Sequence, residues 1–373
     1  SLPIFLKKVE NKEPFYDTPG ISYLRDGNIV TTYAPEQIKD LDTVPVPSFE
    51  LIDIDKYLLD TKDWIKNCDS LRKYGRHYND IIKKISGKKR CIPLVTSRGC
   101  THRCSFCYRH YRGIRQHSVD YMVKFVSHLK DKYGVDGLMF GDELFNSSIE
   151  WVSDFCDAID KNNLDIIYLV AGARVDRVTA AMLARLKETG CVGIFYGQES
   201  GSDAILKEYG KGVTAAQNRD VFLLTTKTVG IASTIQIVIG SPSETDATIN
   251  ETIKFLEESD AYQYSLNYLI PLPETPIWKY VEINGLIKDV EAYLHAVAER
   301  GGAPIVNLTR APEAVWKNWG EHIRNRMKAY YYKNTNPSYY HIYNLFYKIT
   351  SFIKPFIPCG LKKFIPVGIK ELR

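Results

Sequence analysis

No uncharged apolar run in this chain approaches the ~20 residues that a membrane-spanning helix needs, and its first residues do not read as a secretory signal. Strong charge of either sign is missing too. A net charge of +5 and a pI near 8.6, spread over 373 residues, give no argument for a nucleic-acid partner. Nor is there a disulfide framework. Of the eight cysteines, Cys68, Cys91, Cys156, Cys191 and Cys359 are scattered singly, which points to a reducing, cytoplasmic setting. Low-complexity stretches are absent, and so is any repeat beyond an alternation of strands and helices. The first residue is Ser1 rather than methionine, which reads as a processed chain or a piece of a longer one. What remains is a globular composition, 45% hydrophobic and 25% charged with mean hydropathy −0.24, long enough for one large domain or two ordinary ones.

Three textures divide the chain at about residues 1–90, 91–285 and 286–373. In the first, "DTPGISYLRDGNIV" reads as two short strands around an Asp-Gly-Asn turn, and "DLDTVPVPSFELIDIDKYL" as a proline-marked crossover into a capped helix. In the second, apolar strands at Ile92–Thr96, Gly137–Phe140, Ile166–Val170, Val192–Tyr196, Thr234–Ile239 and Tyr264–Ile270 alternate with amphipathic helices. One helix sets Met122, Phe125, Val126 and Leu129 on a single face. Another opens with a capping box from Ser147 to Glu150, a third ends on Gly190, and a fourth runs from Thr245 to Ser259. Six strand–helix units in series predict an α/β fold with a parallel sheet. The sheet either closes toward a barrel or lies open and doubly wound, and in both geometries function collects at the C-terminal ends of the strands. The third texture carries twelve Lys or Arg against three Glu from Arg310 onward, with seven tyrosines. Its segment "YYHIYNLFYKITSFIKPF" aligns Ile342, Leu345, Phe346, Ile349 and Phe352 on one helical face. That face reads as packed over the barrel, or as a peripheral membrane contact and a surface for a lipid-like substrate.

The densest chemistry lies in "TSRGCTHRCSFCYRHYRG", residues 96–113, where Cys100, Cys104 and Cys107 follow the first strand. A structural zinc site wants four ligands, usually two close pairs, so here His102, His110 or His117 would have to complete it. A four-iron cluster held by three thiolates would instead leave one iron open to an outside ligand. Arg98, His102, Arg103, Arg109, Arg112 and Arg115 flank the thiols, and positive charge favours thiolates.

Cys-x3-Cys-x2-Cys with an aromatic, Phe106, before the last cysteine resembles the signature of the radical S-adenosylmethionine (SAM) enzymes, and the likeness runs from residue 91 to about 280. The resemblance implies a partial (β/α)6 TIM-type barrel and an oxygen-sensitive [4Fe-4S] cluster whose open iron chelates SAM. One electron, from a reductant such as flavodoxin or ferredoxin, would cleave SAM to a 5′-deoxyadenosyl radical that abstracts hydrogen from substrate. "FGDELF" resembles the segment touching the SAM amino group, with Gly141, Asp142 and Glu143 as candidates; a plain acidic capping loop is the alternative. "AGARVD" offers Arg174 to the SAM carboxylate as a bidentate fork, or to Asp176 as a rim salt bridge. "GQESGSDAILKEYGKG" resembles the Gly-x-Glu-Ser-Gly-Ser stretch that places Glu199 and Ser200 near the SAM ribose and methionine. "VIGSPSET" resembles the adenine-side turn, with Ser243 where a second glycine is common, and "YLIPLPETPIW" the Tyr/Pro-rich segment.

Residues 18–58 are similar to the linker that precedes the radical domain in the cobalamin-dependent branch of this family. That likeness makes a methyltransferase acting on an unactivated carbon the leading reaction. A cyclase, dehydrogenase or carbon–carbon coupling enzyme is the alternative, and a non-catalytic iron–sulfur or zinc protein the second alternative. The branch's Asp-x-His-x-x-Gly motif for cobalamin is absent, and fewer than 100 residues precede Cys100, so either cobalamin would come from a domain outside this chain or the protein has lost that domain and uses a different radical chemistry. A small molecule is the expected substrate, met at the barrel mouth by Asn267, Tyr268 and Tyr262.

Overall fold

The computed structural model describes residues 2–60, 71, 76–88, 90–109, 113–300 and 303–335. The amphipathic segment from Tyr339 to Phe356, with Cys68, His110, Arg112 and Cys359, lies outside them. In chain order the elements are α1 (Leu2–Glu10), β1 (Ser22–Arg25), β2 (Asn28–Thr31), α2 (Arg76–Ile85), β3 (Cys91–Leu94), β4 (Ser97–Cys100), β5 (Gly113–Gln116), α3 (Val119–Tyr133), β6 (Gly137–Gly141), α4 (Ile149–Lys161) and β7 (Ile167–Ala173). They continue with α5 (Ala180–Glu188), β8 (Cys191–Glu199), α6 (Asp203–Glu208), α7 (Ala215–Leu223), β9 (Ile235–Ile239), α8 (Asp246–Glu258), β10 (Tyr264–Tyr268), α9 (Pro276–Ile283), α10 (Val290–Arg300) and α11 (Glu313–Thr335). No described helix is long and apolar enough to cross a membrane.

Six strands form one parallel sheet in the order β10-β9-β8-β7-β6-β3. The order never reverses. A doubly wound sheet turns back at a switch point, so the uninterrupted order decides for the open, barrel-type winding. The Asp-Gly hairpin β1–β2 forms as expected, with Asp26 and Gly27 at φ 51° and 76° in its turn. Between Leu41 and Tyr57 the expected capped helix is replaced by three short 3₁₀ turns, Leu41–Thr43, Phe49–Leu51 and Ile54–Tyr57. Pro45 and Pro47 lack the amide protons that a continuous helix would need there.

Local signals explain the helices. Ser118 accepts from the Tyr121 amide at the start of α3, Gly134 ends it in the left-handed conformation, and the stripe Met122, Phe125, Val126 and Leu129 is buried. Each such side chain contributes about 1.5–3 kcal/mol on burial. The N-cap of α4 is Ser148 rather than Ser147, because Ser147 closes a preceding 3₁₀ turn and Ser148 accepts from the Trp151 amide.

The sheet's two faces differ. Leu94, Leu138, Phe140, Tyr168, Val170, Ile194 and Tyr196 pack outward against helices α3 to α5. At the N-terminal ends of the strands, Ile81 and Ile85 of α2, with Leu71, plug the inside against Cys91, Ile167, Leu169, Val192 and Ala232. The floor is therefore closed. Half-exposed side chains line the concave face above it, among them Met139, Phe195, Gln236 and Val238.

Candidate active site

Cys100 ends β4, opposite Gly113 of the antiparallel β5, and Cys104 and Cys107 lie in the loop that follows it. One carboxylate fixes the base of that hairpin. Asp142, at the end of β6, accepts on Oδ1 from the Thr96 and Ser97 amides at 2.8 and 2.6 Å and from their hydroxyls at 3.0 and 2.7 Å. Burial pushes its carboxyl above the ordinary value in spite of these four donors, and Oδ2 has no partner. The middle of the loop is stapled across the barrel mouth. The Ser105 amide donates to Tyr209 O at 2.9 Å, its hydroxyl donates to Glu208 O at 3.1 Å, and Ile277 N donates to Ser105 O at 3.0 Å. Phe106 meets the Tyr209 ring edge-on at 4.9 Å, within a cluster containing Ile205, Leu269 and Ile277.

The six described cysteines are free thiols. Burial raises the Cys104 thiol, and the Lys211 and Arg174 charges oppose that rise. Cys107 is raised by loss of hydration first and then by the Cys104 and Cys100 thiols, so the three sulfurs lie within electrostatic reach of one another. Among the described residues, no group of three or more His, Cys, Asp and Glu side chains is drawn together as a single metal ion would require.

Beside the thiols the end of β8 holds a strained carboxylate. Glu199 adopts φ 63°, uncommon for a side-chain-bearing residue and typical of functional sites. Its Oε1 receives Lys211 Nζ at 3.2 Å, and the two side chains are only 11% and 7% exposed. Gly197 makes room, since a Cβ there would stand 2.5 Å from Glu199 Oε1. Gly201 lets the chain turn against α8; its Cβ would meet Phe255 at 2.4 Å and the Thr252 backbone at 2.7 Å. Three thiols, a buried ion pair and a strained turn thus converge at the C-terminal ends of β3, β6 and β8.

Residues 94–256 match the Radical SAM superfamily profile. Over that span the chain carries a radical SAM domain. It is 29% identical over 274 residues to the uncharacterized methyltransferase PH0819 of Pyrococcus horikoshii, covering 72% of this chain and 53% of that one. It is 23% identical over 278 residues to the anaerobic magnesium-protoporphyrin IX monomethyl ester cyclase of Rubrivivax gelatinosus, covering 74% and 45%. Among solved structures it is similar in fold to the cobalamin-dependent S-adenosylmethionine radical enzyme OxsB with aqua-cobalamin bound, at a TM-score of 0.61 and 19% identity, over 95% of this chain and 58% of that one. The chain spans about half the length of the curated relatives it matches.

Within this radical SAM core the side chains are deployed differently from the sequence-based expectation in several places. Arg174 does make a bidentate fork, with Asp176, at 2.9 and 3.0 Å; its Nη2 also donates to Lys211 O at 2.5 Å. The rim salt bridge is the alternative that the structure contains, and Arg174 acts by holding the backbone of Lys211. Ser200 is 1% exposed, with Oγ 3.3 Å from Thr252 Oγ1 and accepting from Ser202 N at 3.1 Å. Gly141 and Glu143 remain exposed at the end of β6, and Glu143 bears electrostatically on Cys107. Of the flanking cations, Arg98 and Arg103 face solvent, Arg109 donates to His102 O, and Arg115 donates to Ile38 O. Lys211, together with Arg174, supplies the positive charge at Cys104, and sequence reasoning passed over Lys211. Its one signal is its place in "EYGKG", twelve residues beyond Glu199.

Of the three mouth candidates only Asn267 faces the open side. Tyr268, one residue on, points the other way and bonds to α11, as strand alternation demands. Tyr262 precedes β10 and packs on Tyr330 and Tyr331, so it stands at the opposite end of the strand from the mouth.

Proposed function

We propose that this chain is the catalytic core of a radical SAM enzyme and that its most fitting reaction is methyl transfer to an unactivated carbon of a small molecule. The observation that carries the reading is the buried Glu199–Lys211 pair set beside the three thiols. A structural cluster needs no such pair. A zwitterionic ligand such as the methionine end of SAM does, because an ammonium and a carboxylate can each find an opposite charge there.

The residues fit the two groups that the family implies. Cys100, Cys104 and Cys107 would hold a [4Fe-4S] cluster as thiolates, leaving one iron for SAM. When bound, the cluster supplies an electron for the reductive cleavage of SAM, and through it the abstraction of hydrogen from substrate. The chain's own residues do the rest. Lys211 and Arg174 lower the cost of gathering negative charge at Cys104, Glu199 and Lys211 orient the charged end of SAM, and Glu143 and the exposed backbone at Gly141 offer acceptors for its amino group. The staples at Ser105 and the Phe106–Tyr209 contact fix the loop against the far wall, so the thiols cannot drift during turnover.

Cobalamin is a different matter. The Asp-x-His-x-x-Gly pattern is absent from these 373 residues. The likeness to a ring-forming cyclase supports a second reading, carbon–carbon bond formation on the same radical core. An acidic one-electron donor of the flavodoxin or ferredoxin type would complete either.

Anaerobic reconstitution with iron and sulfide, followed by dithionite and SAM, tests the reading. Formation of 5′-deoxyadenosine with about four irons per chain is the expected result. A four-iron cluster that never cleaves SAM, at any reductant strength, overturns it. Labelled methyl transfer from SAM in the full-length gene product, with and without cobalamin, then separates the two reactions.

A further inference from the structure

The last described helix, α11, lies outside residues 94–256, and nothing in the proposed chemistry uses it. It nevertheless reaches the loop between β9 and α8 at both of its ends. At the far end, Trp319 Nε1 donates to Asp246 Oδ1 at 2.6 Å. At the near end, the Trp316 indole faces Gly240 so closely that a Cβ there would stand 3.1 Å from Nε1. Tyr268 keys the helix between them. Its hydroxyl donates to the Trp316 and Lys317 carbonyls and accepts from Gly320 N, each at 3.0 Å, while its ring meets Trp316 edge-on at 5.5 Å.

The near end has an unmet requirement. Glu244 is 2% exposed; its Oε2 accepts from the Gly240 and Ser241 amides at 2.5 and 3.2 Å, but its Oε1 has no partner. Ser241 Oγ and Trp316 Nε1 are equally buried and lack a close hydrogen-bond partner, the Tyr209 hydroxyl being the polar group that stands near Ser241 on the other side. All three atoms belong to residues within one turn of Gly240 or in contact with it: an acceptor, a hydroxyl and a donor. Buried polar groups rarely stay unpaired, and an internal water typically makes about three hydrogen bonds to groups like these. Burial also pushes the Glu244 carboxyl up to about 7, as expected of an oxygen left without a donor.

We propose that Trp316 and Trp319 are positioning residues that clamp the Gly240–Asp246 loop, Trp316 through one water molecule shared with Glu244 and Ser241. The clamp gives α11 a role in SAM binding, because this loop is the one that resembles the adenine-side turn. That last step rests on the radical SAM reading; the clamp itself does not.

Hydrogen exchange of the apoprotein tests the clamp without any cofactor. In Trp316→Phe and in Trp319→Phe, which keep an aromatic ring and lose the indole N–H, amides of residues 240–246 are expected to exchange about tenfold faster. Amides of β8 and of α2 should be unchanged. Unchanged exchange in the loop, or a uniform rise across the whole barrel, overturns the proposal. A crystal structure supplies the second arm: a water within hydrogen-bond distance of Glu244, Ser241 and Trp316 is expected. A dry site, or a direct Trp316–Glu244 bond, removes the water from the proposal. In the reconstituted protein the two variants should raise the KM for SAM several-fold at nearly constant kcat, whereas a merely structural role would lower the melting temperature alone. If the wild-type protein never binds SAM while the exchange result holds, the radical SAM reading has failed and the clamp has not.

Discussion

The two ends of the parallel sheet are built by different rules. At the N-terminal end the packed side chains serve closure. Ile81 and Ile85 fill the floor, Lys84 Nζ donates to Lys187 O, Lys187 Nζ donates to Val229 O, and His77 Nε2 lies 3.1 Å from Lys227 O. Loose carbonyls are met by cations or an imidazole, and the wall between them is apolar. The C-terminal end gathers buried charge and polar groups instead. It holds Glu199 in a left-handed conformation and a nearly buried ion pair, and Asp142, Gln198, Ser202, Ser241 and Glu244 each keep a buried polar atom without a partner. Proteins accept such costs where a ligand or water repays them. The contrast is in keeping with a ligand taken at the mouth.

Replacing one thiol would break the comparison most severely. Cys104→Ala should abolish cluster assembly, read as loss of iron, sulfide and visible absorbance after reconstitution, while the melting temperature of the apoprotein stays close to wild type. Retention of a four-iron cluster would remove Cys104 from the ligand set. The floor should respond in the opposite sense. Ile81→Ala removes a fully buried side chain and should cost about 2–5 kcal/mol in denaturant unfolding. The KM for SAM should stay unchanged at temperatures where the variant is folded. An altered KM with normal stability would mean that the two ends are coupled.

Lys211→Met sharpens the contrast within the mouth itself. Loss of one charge-assisted hydrogen bond is worth about 1.5–3 kcal/mol, so SAM affinity should fall by about 10- to 100-fold. Cluster iron should be retained, because Arg174 still supplies positive charge at Cys104. Because removing one partner of a buried pair also threatens the fold, Glu199→Gln serves as the companion variant, and both must lose SAM affinity for the pair to be the anchor. Cluster loss in either variant, before any SAM is added, would instead make the pair a support for the thiols.

What could be read from the sequence follows the range of the interactions. The stripe on α3 announces itself within a few residues and is buried as expected; the three cysteines and the glycines of the turn after β8 are equally local signals. Asp142 is not one. Its four donors lie some 45 residues earlier, at Thr96 and Ser97, so an acidic residue in a loop could equally be a ligand contact or a strut. Arg174 was ambiguous for the same reason; its fork fits a substrate carboxylate and Asp176 alike. Lys211 was hidden by proximity to a stronger motif, since only the left-handed turn at Glu199 swings the carboxylate back toward it. Asn267 and Tyr268 show the limit of naming a strand end without its facing, because adjacent residues there serve opposite sides of the sheet.

Ser200 gives the finest test of where the mouth ends. The family likeness puts this residue beside SAM, but its hydroxyl is spent on Thr252 of α8 and on the amide that opens α6. In that geometry Ser200→Ala loses one or two neutral hydrogen bonds inside the wall, worth about 1 kcal/mol. Unfolding should shift by that amount, and the KM for SAM should not move. A several-fold rise in KM with unchanged stability would show that the side chain turns into the mouth when SAM binds. The turn from Gln198 to Ser202 would then belong to the yielding end of the sheet rather than to its frame.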